Sequence, residues 1–323
     1  MTGALMVQNN EVQIRAAAAI MALMERYVEY LDVRQQSIRT YATGLRQFLL
    51  WLEENGIREP QRPDVIQFRE DMGKTRKPAT VQVYMIAVRQ FFRWTYTEGL
   101  YPNVAENVKG VKVSKRHKKD PLTKSQAREV IDHMKEDKTI TGRRDYAIFL
   151  TATTGGLRTI EIARANKGDL RTKATADGDL HVLYLQGKGH DDRDEFVIVP
   201  APAYEAIRDY MKARGKTRAE APLFASESNR NKGGRMTTRS ISRIIKNALI
   251  DCGLDSDRLT AHSLRHTAGT IALREGQSLQ DVQQFLRHTN IDTTMIYIQE
   301  QEQIENKSSQ TVADALFREE GKP

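Results

Sequence analysis

The chain has 323 residues, 39% of them apolar, with 20 Gly and 9 Pro, which fits a folded chain of about two domains and excludes a lone mini-domain, wholesale disorder and a collagen-like repeat. Fifty Lys and Arg against 42 Asp and Glu give a formal charge of +8, an excess that favours a polyanionic partner, nucleic acid above all. The one cysteine, Cys252, makes no internal disulfide and no cysteine metal cluster, which fits a reducing cytoplasm.

The longest apolar run, residues 16–24, has nine positions closed by Arg15 and Glu25, against the roughly 20 that cross a bilayer. No basic residue precedes Arg15 and Glu25-Arg26-Tyr27 follows the run, so it lacks the flanks of a signal peptide. The expectation is a cytoplasmic chain with no membrane partner.

The first hundred residues read as helices. Ile20, Leu23, Tyr27 and Leu31 share one face; Tyr41, Leu45, Phe48, Leu49 and Leu52 share another, behind Ser37 as a capping residue. A short helix is expected from near Pro63, and a fourth from about Ala79, with Val83, Ala87, Phe91 and Trp94 in a stripe and Gly99 as its stop. Together they predict a bundle of four to five helices. Residues 109–119 then carry six basic residues (Lys109, Lys112, Lys115, Arg116, Lys118, Lys119) and no acidic one. They read as an exposed linker, either a solvated hinge or a contact for phosphate.

Past Thr123 the pattern is mixed. Helices are expected over 125–134, 143–153, 203–214, 238–252, 263–275, 279–286 and 311–319, and strands over 181–186 and 195–199 around a Gly187-Lys188-Gly189-His190-Asp191-Asp192 turn. The predicted class is mostly α with a small β-sheet, α+β, with a lysine at the mouth of a hairpin.

Four patches stand out: Thr154-Gly155-Gly156-Leu157-Arg158, Gly187-Lys188-Gly189, His262-Ser263-Leu264-Arg265-His266, and Leu286-Arg287-His288 with Tyr297 nine residues later. Singly, each has an ordinary explanation. Arg158 reads as half of an ion pair, Lys188 as a solvated turn lysine, His262 and Arg265 as a cap and a surface charge one turn apart, and Tyr297 as a packed aromatic.

Their order, Arg, Lys, His-x-x-Arg, His and Tyr over about 140 residues, resembles the tyrosine recombinase family, also called phage-type integrases. The Ser-x-x-x-Tyr-x-x-x-Leu-x-x-Phe-x-x-x-Leu pattern from Ser37 to Leu52 resembles the family's first core-binding helix, and Thr80 to Gly99, with Phe91-Phe92-Arg93-Trp94, resembles its last. Tyr101-Pro102-Asn103-Val104-Ala105 resembles the entry to its linker. The resemblance runs from about Ile20 to the C-terminus. Two departures stand out: an extra glycine in Thr154-Gly155-Gly156-Leu157-Arg158, expected to loosen the hold on Arg158, and Asn166 where the family often has leucine.

The resemblance implies a compact two-domain enzyme without the amino-terminal arm-binding domain of long phage integrases. It would have a helical, SAM-like core-binding domain at 1–113, a basic linker at 114–121 and a catalytic domain at 122–323, together forming a C-shaped clamp on double-stranded DNA. The activity implied is conservative site-specific recombination through a 3′-phosphotyrosine, with no metal, ATP or other cofactor.

The residue types suit that chemistry. Tyr297 would be the covalent nucleophile, conserving the energy of the broken bond. Arg158 and Arg265 would clamp the non-bridging oxygens bidentately, and Lys188 would protonate the leaving 5′-oxygen. His262 would accept the phenolic proton or orient the phosphate, and His288 would donate to a phosphate oxygen. Glu161, one turn after Arg158, would hold arginine and histidine in register, and His266 is expected to be structural.

For DNA contact the expectation names Lys115, Arg116, Lys118 and Lys119 in the linker, together with Arg235 and, along a helix opened by Thr238 that also carries Lys246, Arg239 and Arg243, meeting guanine edges or phosphate alone. The apolar strip Val312, Ala313, Leu316 and Phe317 either folds back on its own domain or docks on a neighbouring protomer, as an exchange helix in a tetramer on two DNA sites. Accessory DNA-bending proteins are further candidate partners, and the nucleoid is the expected place of action. The rival readings are a catalytically silent DNA-binding regulator and a type IB topoisomerase-like enzyme.

Overall fold

A computed structural model describes residues 22–33, 35–113, 119–176, 178–186, 195–288, 290, 295 and 306–317. The chain divides into two compact units between Lys115 and Arg116.

In the first unit the described helices are α1 (residues 22–30), α2 (Gln35–Glu54), α3 (Arg62–Thr75) and α4 (Pro78–Thr97). Ser37 lies inside the first turn of α2 and does not cap it. Proline stands in the first turn of both α3 and α4, where its missing N–H is lost without penalty. The apolar stripes close on an aromatic core: Phe48 and Phe68 meet edge-to-face at 5.0 Å, and Tyr27 and Phe91 at 5.4 Å. Phe48, Phe68, Val81 and Met85 are fully buried, so truncating either phenylalanine to alanine costs about 3–5 kcal/mol. The segment after α4 is tied to its own unit. Arg69 donates to the Lys109 carbonyl at 2.9 Å, Arg89 to the Val108 carbonyl at 3.2 Å, and the Val111 amide to Gln82 at 2.9 Å. The exposed linker expected from residue 109 is therefore not free over 109–111, because three hydrogen bonds hold residues 108–111 to α3 and α4.

The second unit holds α5 (Lys124–Lys135), α6 (Ile140–Thr154), α7 (Thr159–Arg164), a three-stranded antiparallel sheet, then α8 (Ala201–Arg214), α9 (Thr238–Asp251), α10 (Ala261–Arg274), α11 (Leu279–Leu286) and α12 (Ser308–Phe317). The sheet order is β1 (Leu170–Thr175), β2 (Gly178–Leu185), β3 (Glu195–Ile198), with Arg171 opposite Val182 and Leu183 opposite Val197. The sequence reading missed β1, since Leu-Arg-Thr-Lys-Ala-Thr carries no apolar alternation and is exposed over five of its six positions. Helix α6 runs through the core, with Ala147, Ile148, Phe149, Leu150 and Ala152 all buried. Asp120 anchors the entry to this unit, accepting from Arg258 at 2.6 and 2.5 Å. Among the described residues no helix is long and apolar enough to cross a membrane.

Candidate active site and DNA-facing groove

Arg158 stands at the N-cap of α7, held on both sides by Glu161 one turn on. Its backbone N–H donates to Glu161 Oε2 at 2.8 Å and its Nη1 to Oε1 at 2.7 Å. Arg287 reaches the same carboxylate from the end of α11, Nη2 to Oε2 at 2.9 Å, while its carbonyl accepts from Arg158 Nη2 at 3.2 Å. Glu161 is 2% exposed. Burial pushes its carboxyl up, but the Arg287 charge and the hydrogen bonds from Arg158 outweigh burial and hold it below the ordinary glutamate value.

Helix α10 brings the second arginine and two histidines. Thr260 precedes it and Ser263 ties down its first turn, accepting from the Thr260 amide at 3.0 Å. His262 therefore lies within that turn and does not cap it. Four residues on, His266 is buried and meets it edge-to-face at 4.6 Å between ring centres. Arg265 is 2% exposed, donating to the Gly156 carbonyl at 2.6 Å and to the Leu286 carbonyl. The last carbonyls of α11, unpaired within a helix, thus accept from both arginines, Leu286 from Arg265 and Arg287 from Arg158. His288 follows directly. Burial first, then the charges of Arg265 and Arg158, with His262 and Arg287 nearby, push its imidazole down to about 3, so at neutral pH it is uncharged and donates from one ring nitrogen.

Gly156 lets the loop before Arg158 close tightly on the end of α11. Gly156 has φ +57°, and a β-carbon there would lie 2.7 Å from Leu286 Cδ2, so its carbonyl reaches Arg265 only because the residue has no side chain.

An open groove of about 770 Å³ lies beside Arg158 and His262, and α9 contributes Arg239, Arg243 and Lys246 to its lining. Among the described residues no acidic one lines it. Helix α9 is capped by Thr237, one residue earlier than expected, its hydroxyl accepting from the Ser240 amide at 3.1 Å. Lys246 is engaged by Asp255 at 2.9 Å. Arg239 and Arg243 are exposed, one turn apart on one face, an arrangement of like charges that favours an anion. Arg235 is used differently: it donates to the Ala163 carbonyl at 2.8 Å and to Asn166 Oδ1 at 2.5 Å. The polar Asn166 is thus where Arg235 docks, a pairing that separation along the chain had hidden. Lys119 donates to the Asp257 carbonyl at 2.5 Å.

Lys188 and Tyr297 lie outside the described residues, as do Lys115, Arg116 and Lys118. Of the predicted catalytic set, Arg158, His262, Arg265 and His288 are brought together, with Glu161 and His266 beside them. Arg287 was missed as a site residue. Its one sequence signal was an arginine directly after the apolar end of α11, where glycine is the usual occupant.

Two family models cover the chain: "Phage integrase family" over residues 120–303 and "Phage integrase, N-terminal SAM-like domain" over residues 24–99. Tyrosine recombinase XerC of Chlamydia trachomatis serovar L2 is 33% identical over 221 residues, 68% of this chain and 66% of that protein, so the match spans just under two thirds of that relative. Tyrosine recombinase XerC of Thermodesulfovibrio yellowstonii is 30% identical over 273 residues, 81% of this chain and 84% of that protein. Neither name favours the silent-regulator or topoisomerase-like reading. In fold, the chain is similar to the XerH site-specific recombinase bound to palindromic difH substrate in a post-cleavage complex, with TM-score 0.68, 19% identity and coverage of 86% of this chain and 79% of that one. On the matches over both of its units, the chain belongs to the phage integrase family, that of the tyrosine recombinases.

Proposed function

We propose that this chain is a site-specific DNA recombinase that cuts and rejoins duplex DNA through a 3′-phosphotyrosine. The observation that carries this is the gathering of Arg158, Arg265, His262 and His288 at the end of α11, beside a groove whose described lining is cationic and holds no carboxylate. Such a site draws in a phosphodiester and stabilises the charge that grows on its non-bridging oxygens in the transition state. The Tyr297 hydroxyl attacks the phosphorus, its proton passing to His262, and the bond to the 5′-oxygen breaks. Lys188 gives that oxygen its proton, leaving a 5′-hydroxyl and a tyrosyl 3′-phosphate ester. A 5′-hydroxyl from a second strand reverses the step, so neither bond energy nor phosphate is lost.

Double-stranded DNA is the substrate and further copies of the chain are the partners, four of them on two sites. The basic linker, 114–121, joins a core-binding unit to a catalytic unit, both of which act on the duplex, and the nucleoid is the place of action. The test is covalent capture. A 40-bp duplex library with a randomised centre is incubated with the chain, and duplexes retained through denaturing electrophoresis are amplified and re-offered. Tyr297→Phe should bind the recovered duplex nearly as well as the parent and give no covalent band, since one hydroxyl is removed and no phosphate contact is lost. A covalent band from the Phe variant would overturn the assignment.

A further inference from the structure

Arg287 combines three local penalties. Its backbone is left-handed, φ +53° and ψ +49°, costing a side-chain-bearing residue about 1 kcal/mol or more against glycine. Among the described residues only Asn107 shares that trait outside glycine, and Asn tolerates it through its short polar side chain. The Arg287 side chain is 10% exposed, so a cation has been taken out of water. Its Nε is buried with no hydrogen-bond partner. Glycine at this position would carry none of the three.

What the residue gains is contact with the site. Its Nη1 donates to the Phe285 carbonyl at 2.9 Å, folding the side chain over the end of its own helix. Its Nη2 then meets Glu161 Oε2, the oxygen that also accepts the Arg158 amide. One carboxylate shared by two guanidiniums leaves the trio with a net charge of +1. With Arg287 removed, Glu161 would be left to Arg158 alone, and its charge would cancel the one that the phosphate needs. The Arg287 carbonyl fixes the second guanidinium nitrogen of Arg158, and its left-handed turn sets the direction of His288.

We infer that Arg287 is a positioning residue for strand cleavage: through Glu161 and its own carbonyl it holds Arg158 in place and leaves that guanidinium's charge free for the phosphate. The inference rests on the recombinase reading above and extends it to a residue whose side chain is turned onto Glu161 and the end of its own helix. Strain retained at a functional site in this way is a recurring pattern.

The experiment uses the full chain and the duplex recovered by covalent capture. Binding and the single-turnover rate of covalent adduct formation at saturating DNA are measured for the parent, Arg287→Gly, Glu161→Gln and the double variant. Arg287→Gly should melt within a few degrees of the parent and bind within about threefold, yet form adduct about 10- to 100-fold more slowly, as displaced catalytic groups do. Because both residues act through one unit, the double variant should be no slower than Glu161→Gln alone. If Arg287→Gly fails to fold, Arg287→Gln, which keeps the side chain's bulk without its charge, carries the same test. An Arg287 variant cleaving at the parental rate with parental affinity would overturn the inference and leave the recombinase reading standing. A parent chain that captures no duplex at all would overturn both.

Discussion

Gly156 and Leu286 approach so closely that a β-carbon on the glycine would lie 2.7 Å from Leu286 Cδ2, with Phe285 Cζ at 3.3 Å. This contact joins the loop before Arg158 to the end of α11, and the Gly156 carbonyl accepts from Arg265 across it. Gly156→Ala adds both a left-handed non-glycine residue and an overpacked contact, and is expected to lower stability by about 2 kcal/mol or more. Adduct formation should fall by at least about tenfold, as a misplaced clamp would require. Thermal melting and single-turnover cleavage check the two effects; a variant matching the parent in both would mean that the loop relaxes freely.

His288 gives the protein a pH signature. Burial, followed by the neighbouring arginines, places its folded value near 3 against an ordinary 6.5, so between those values the unfolded chain binds more protons than the folded one. Stability is therefore fully present above about pH 6.5 and declines as pH falls toward 3. Melting temperatures from pH 7 to pH 5, above the range where Glu161 titrates, should show a shallower decline for His288→Gln than for the parent. Parallel curves would place the His288 ring in water.

Arg239 and Arg243 face the groove, whereas Arg235 is bonded to Ala163 and Asn166. If the first two meet phosphates, replacing each by alanine should reduce the slope of log affinity against log salt by about 0.9. Arg235→Ala should instead lower the melting temperature and leave that slope unchanged. Neutralising Lys115, Arg116, Lys118 and Lys119 together should also flatten the slope, with Lys119 contributing least because it donates to the Asp257 carbonyl. A slope lost with Arg235 and kept without Arg239 and Arg243 would reverse the assignment.

Lys188 is tested by the leaving group. A duplex with sulfur in place of the 5′-bridging oxygen expels a thiolate, which needs no proton, so Lys188→Ala should slow the ordinary duplex and spare the sulfur one. Equal slowing on both would make Lys188 a residue that positions DNA.

Helix α12 buries none of its residues; Val312, Leu316 and Phe317 are 57%, 73% and 82% exposed. An apolar strip this open, in a helix that does not fold back on its own core, suits docking on another copy of the chain. Deleting residues 308–323 should leave a folded protein that fills one half-site, yet lose cooperative filling of paired sites and strand exchange. Recombination at the parental rate, read on two-site plasmids, would remove α12 from the assembly.

The sequence by itself determined the elements whose physics is local. The Val83–Ala87–Phe91–Trp94 stripe of α4, α11 at its observed bounds and the β2–β3 hairpin were legible because side-chain periodicity and turn residues act within a few positions. The order of Arg158, His262, Arg265 and His288 also pointed to side chains that the fold brings together. Strand β1 was not legible, since its residues carry no apolar alternation and their pairing with β2, through backbone hydrogen bonds, a Thr172–His181 contact and Arg171 over the Tyr184 ring, is not recorded in composition. Only the tertiary structure decided that Gly156 tightens the site, that Arg235 docks on Asn166, and that Arg287 shares Glu161 with Arg158 across 129 residues of chain. Each of these depends on close approach between segments distant in sequence, and the free energy of such an approach is set by packing and shared charge, which no local pattern encodes.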